Sequence, residues 1–93
     1  MKAIWNGKTI AESNETIVVE NNHYFPASSV DKSLLKSSST TSACPWKGKA
    51  SYYSIEVDSV RNNDAAWYYP EPKEGAKNIK GYIAFWKGVK VIA

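Results

Sequence analysis

The chain has 93 residues with 12 basic and 9 acidic side chains, a net charge of +3, which suits one domain of about 100 residues and excludes separate catalytic and cofactor domains. Four Trp, six Tyr and two Phe make it 13% aromatic, so a disordered chain, poor in aromatics, is excluded. One Cys and one His exclude an intramolecular disulfide and every structural zinc site built from four Cys and His ligands.

In chain order, the first signal is a hairpin. Ala3-Ile4-Trp5 and Lys8-Thr9-Ile10-Ala11 flank Asn6-Gly7, a pair suited to a two-residue turn that needs positive φ at both positions. A third strand is expected at Thr16–Glu20, a turn at Asn21-Asn22, and a short strand His23-Tyr24-Phe25 stopped by Pro26. Ser28-Ser29-Val30-Asp31 has capping-box spacing, and Val30 and Leu34 would share one helical face, so two turns of helix are expected over about residues 29–36. Ser37 to Ser42 is a Ser/Thr tract that reads as a loop. Ala50–Val57 is the longest β-prone run, and Asp58–Asp64 is polar and turn-like. Ala65–Tyr69 is expected as a strand ended by Pro70 and Pro72, with one helical turn within Lys73–Lys80. Tyr82–Trp86 and Val89–Ile92 flank Lys87-Gly88 as a closing hairpin. About seven short strands with one or two short helices point to a mainly β, antiparallel domain over residues 1–93.

No apolar run reaches the ~18 residues of a membrane span. The first seven residues hold no apolar stretch of signal-peptide length, so a reduced, cytoplasmic compartment is expected, and the sequon Asn14-Glu15-Thr16 reads as chance. Lys residues are scattered and Arg61 is the single Arg, which argues against nucleic-acid binding. No cofactor motif and no metal-ligand spacing are present, so none of either is expected; Glu56, Asp58 and Asp64 read as a solvated loop.

Several of these segments together carry a family resemblance. Ile10-Ala11-Glu12-Ser13, His23-Tyr24-Phe25-Pro26, Cys44-Pro45-Trp46-Lys47-Gly48 followed by Ala50 and Tyr52, Ala66-Trp67-Tyr68-Tyr69-Pro70 and Ile79-Lys80-Gly81-Tyr82-Ile83-Ala84-Phe85 occur in one order and spacing. On these residues the chain resembles the domain-of-unknown-function family 427, over nearly its whole length. The resemblance implies a compact β-tent-like fold without the paired zinc cysteines. The family also carries a nucleotidyltransferase-like label. This chain has neither a Gly-Ser followed by paired Asp residues nor a Gly-x-x-x-x-Gly-Lys-Ser/Thr phosphate loop.

Three functions compete at this level. The first is a small-molecule-binding module, with ligand contacts from Ser13, Tyr24, Cys44, Trp46, Lys47, Tyr52, Trp67 and Tyr69. Trp and Tyr pair an apolar body with a polar tip, which suits a pocket as well as a core. The second is a small enzyme, a transferase or a thiol catalyst, with Cys44 as the candidate catalytic residue and Lys47 stabilising its thiolate. Thr41-Ser42-Ala43-Cys44 fits a peroxiredoxin-like Thr-x-x-Cys, but Ser37 stands where that motif needs Pro. The third is a protein-interaction module, as a monomer or a homodimer joined through an exposed strand edge. Beside each stands a plain reading: Cys44 as a buried structural thiol, Lys47 as a solvated cation, His23 as a structural strand-edge residue, and the aromatics as core. Trp5 and Phe85 are expected in the core.

Overall fold

The computed structural model describes residues 1–93. β1 (Lys2–Trp5) pairs antiparallel with β2 (Lys8–Glu12). The turn between them is the expected Asn6-Gly7, at φ of 51° and 74°. β3 (Ile17–Val19) and β4 (Asn22–Tyr24) form a second hairpin. Its turn residues are Glu20 and Asn21, at φ of 52° and 65°, one position earlier than expected. β5 (Leu35–Cys44), β6 (Gly48–Val57), β7 (Val60–Tyr68) and β8 (Ile83–Phe85) make a four-stranded antiparallel sheet in that order. β9 (Lys90–Ile92) pairs with β1, completing a three-stranded sheet β2-β1-β9. The mainly β, antiparallel class read from the sequence is the observed one. No helix is long and apolar enough to cross a membrane.

Four local expectations are corrected. The two-turn helix near residues 29–36 is instead two single 3₁₀ turns, Ala27–Ser29 and Lys32–Leu34. Val30 between them is extended and bridges to Ala11, which a continuous helix would forbid; Asp31 caps the second turn by accepting from Ser33 N at 3.1 Å. The Ser/Thr tract is part of β5, not a loop. It needs no apolar alternation because it is an edge strand, exposed on most of its length and paired only with β6. The polar segment from Asp58 turns only at Asp58-Ser59 (φ 52° and 67°) and then extends as β7; Arg61 and Glu56, opposite each other, pair at 3.3 Å. Finally, Lys87-Gly88 closes no hairpin, because β8 and β9 belong to different sheets.

Strand alternation gives the long sheet two distinct faces. Ile55, Val57, Ala66, Ile83 and Phe85 project to one side and pack with Ala3, Ile10, Ala11, Phe25 and Val30 as the main core. Phe25 and Phe85 meet edge to face at 5.6 Å. Phe85 is buried as expected, while Trp5 only packs partly buried against this core. The opposite face carries Ala50, Tyr69 and Ala84, covered by Tyr24, Ala76 and Ile79. The cover comes from the β3–β4 hairpin and from a 3₁₀ segment at Glu74–Ile79, the helical turn expected there. Each fully buried aromatic or branched side chain contributes about 1.5–3 kcal/mol.

Candidate functional site

The covered face leaves part of the sheet open, and there the aromatics converge. Tyr52 on β6 lies opposite Trp67 on β7, and Trp67 lies opposite Ala84 on β8. The three side chains form one row on one face. Ala84 itself is fully buried within the covered cluster. Tyr69, just past the end of β7 and two residues from Trp67, is on the same face; Trp86, two residues beyond Ala84, closes the far side. Lys47, Tyr52, Trp67, Tyr69 and Trp86 line a cleft of about 170 Å³. A cavity of about 150 Å³ is enough for benzene, so this cleft has room for one ring and its substituent.

The ring orientations are set by hydrogen bonds at their polar ends. Trp67 Nε1 donates to the Tyr24 hydroxyl at 3.2 Å, and the two rings meet edge to face at 6.1 Å. Trp86 Nε1 donates to the Asp64 carbonyl at 2.6 Å, with its ring edge to face with Trp67 at 6.0 Å. The Tyr52 hydroxyl hydrogen-bonds Ser42 Oγ at 2.9 Å. Tethered aromatics of this kind lose little side-chain freedom when a ligand arrives.

Lys47 lies in the tight link between β5 and β6. Gly48 permits the bend with φ of +113°, and a Cβ there would meet Lys73 N at 3.4 Å and Glu71 O at 3.5 Å. The 70–73 segment is thus held against the link, with Lys73 N donating to Lys47 O at 2.8 Å and Lys73 Nζ donating to Pro45 O at 2.7 Å. The bend turns the Lys47 side chain inward. It is 8% exposed, and its ammonium pairs with Glu20 from the β3–β4 turn, whose side chain is 55% exposed. Lys47 Nζ also lies 5.4 Å from the Trp46 ring centroid and 5.6 Å from that of Tyr69, within cation–π range. Burial pulls the Lys47 ammonium down, but the Glu20 hydrogen bond, Tyr24, Tyr69 and the Glu20 charge outweigh it, and the net shift is upward. Glu20 is correspondingly held below the usual carboxylate range, chiefly by its hydrogen bond to Lys47. Burial raises Tyr69, against the opposing pull of Lys47. Lys47 is therefore a permanently charged, buried cation, not the solvated lysine of the plain reading.

Of the residues singled out in the sequence, Lys47, Tyr52, Trp67 and Tyr69 line the cleft. Tyr24 is fully buried beneath Trp67. Trp46, 44% exposed, flanks Lys47 from outside the lining. Cys44 ends β5 opposite Gly48 and packs, half-buried, against the second cluster. Ser13 is elsewhere, accepting from Glu15 N at 2.9 Å as a local turn cap. His23 Nδ1 hydrogen-bonds Thr16 Oγ1 at 3.1 Å, away from the cleft lining. Trp86 and Glu20 were absent from the sequence-derived set. The alternation Tyr82, Ala84, Trp86 already puts Trp86 on the face of Ala84; no sequence signal connects Glu20 to Lys47, 27 residues away.

No group of three or more His, Cys, Asp or Glu side chains is arranged to hold a metal ion. A second depression of about 310 Å³ is lined by Thr41, Lys49, Ser51, Pro70 and Glu71. No curated protein matches the chain. The family model described as Domain of unknown function (DUF427) matches residues 1–92, which take in the cleft and all of its lining, and the chain belongs to that family.

Proposed function

We propose that the protein is a small-molecule-binding module whose ligand places one planar ring in the cleft between Tyr52, Trp67, Tyr69 and Trp86. The observation that carries this reading is convergence. Residues from the β5–β6 link, β6, β7 and the end of β8 supply four aromatic side chains and one buried cation to a single space. A core would have filled that space; here Trp86 stays 46% exposed although its indole N–H is fixed to the backbone. Stacking and apolar burial supply the affinity, and Lys47 orients the ligand's polar group.

The test is a titration of one-ring aromatic acids, amides and phenols, followed by tryptophan emission and by thermal unfolding. A ligand at ten times its Kd stabilises the fold by about 1.4 kcal/mol, which raises Tm by roughly 6–11 °C for a domain of this size. Trp67→Ala removes the central wall and abolishes the shift. A broad screen in which no compound moves either Tm or emission contradicts the reading.

A further inference from the structure

The Lys47–Glu20 pair is unequal. The cation is built in: its side chain is almost wholly buried, its backbone is pinned by the 70–73 segment, and it lines the cleft. The anion is borrowed. Glu20 sits on a two-residue turn with its side chain more than half exposed, and its carboxylate is not part of the cleft lining. An ammonium carries three donors, yet the Glu20 carboxylate is the one anionic group that Lys47 Nζ pairs with in the protein. The Trp46 and Tyr69 rings beside it stabilise the charge but supply no counter-charge.

We propose that Glu20 is a displaceable internal counter-ion, and that the ligand is a one-ring acid whose anionic oxygens take Lys47 over from it. This rests on the ligand-binding reading above and names the chemical class of the ligand. A buried ammonium must keep an anion at hand. In the free protein Glu20 supplies it; in the complex the ligand does, and Glu20 rotates into water, where an exposed carboxylate loses little. The exchange conserves the local charge. It also selects: a small inorganic anion gains nothing from the aromatic walls, and a neutral ring gains nothing from Lys47. Only a ligand with both parts outcompetes a carboxylate already tethered to the chain.

Benzenesulfonate and benzenesulfonamide are a matched pair of charged and neutral probes. Their Kd values are measured by calorimetry on the wild type, Glu20→Gln and Lys47→Met, with folding of each variant checked by circular dichroism. Glu20→Gln keeps an acceptor oxygen for Lys47 but removes the competing charge. We expect it to tighten benzenesulfonate by about five- to tenfold and to leave benzenesulfonamide unchanged. Lys47→Met should erase the preference for the sulfonate. If the sulfonamide binds but Glu20→Gln leaves the sulfonate-to-sulfonamide ratio unchanged or lowers it, Glu20 is not displaced, and the cleft reading stands without this inference. If neither compound binds any of the three proteins, both fall.

Discussion

Tyr24→Phe deletes one oxygen from the fully buried side chain beneath the cleft. The ring stays, and with it the edge-to-face contact with Trp67 at 6.1 Å. The acceptor for Trp67 Nε1, now at 3.2 Å, disappears. A neutral hydrogen bond of this kind is worth about 0.5–1.5 kcal/mol net, and a buried donor left unpaired costs more. Trp67 is only half-buried, so water can partly replace the hydroxyl and the loss should stay near 1 kcal/mol. For a domain of this length that lowers Tm by about 4–8 °C. The assay is thermal unfolding of the wild type, Tyr24→Phe, Trp67→Phe and the double variant. Trp67→Phe removes the other partner, so the double-mutant cycle isolates the bond. A coupling energy of about 1 kcal/mol is expected. Additivity within about 0.3 kcal/mol, or a Tyr24→Phe variant as stable as the wild type, would refute the claim that this bond fixes the Trp67 wall.

Two further outcomes follow from the same geometry. Gly48→Ala forces a side chain onto a backbone with φ of +113°, while Lys73 N and Glu71 O stay at ordinary contact distance; the backbone strain should cost about 1–3 kcal/mol, and an unchanged Tm in a melting experiment contradicts the account of the Lys47 bend. Asp64 accepts hydrogen bonds from Ser38 and Thr40, and these hold its carboxyl below the usual range. Its contribution is therefore complete above the unfolded-state value of about 3.9 and is lost as pH falls through the lower folded value. Asp64→Asn removes that titration, so its Tm should fall less than that of the wild type on acidification from pH 5 to pH 2; parallel curves contradict this.

What the sequence could show was local. Asn6-Gly7 announced its turn because two positive φ values select those residues. The Cys44–Gly48 and Ala66–Pro70 segments stood out through the family resemblance, and Lys47, Trp67 and Tyr69 from them do meet, with Tyr52 beside them. Alternation along a strand puts Tyr69 on the face of Trp67 and Trp86 on that of Ala84. What escaped was set by partners far along the chain. The Ser/Thr tract became a strand because β6 pairs with it and Asp64, across β6, binds Ser38 and Thr40. The candidate helix gave way to a bridge between Val30 and Ala11. Lys47 was a candidate from its motif, but its burial was not legible, since that depends on Gly48, the 70–73 segment and Glu20 together.

The aromatic cleft is tested most directly by the four indole N–H resonances in a proton–nitrogen correlation spectrum, recorded while benzenesulfonate is titrated. Trp67 and Trp86 line the cleft, Trp46 flanks Lys47, and Trp5 packs against the opposite core. We expect the Trp67 and Trp86 resonances to shift and saturate together, Trp46 to move less, and Trp5 to stay in place. Four unmoved indoles, or a response led by Trp5, would contradict a ligand site on this face of the sheet.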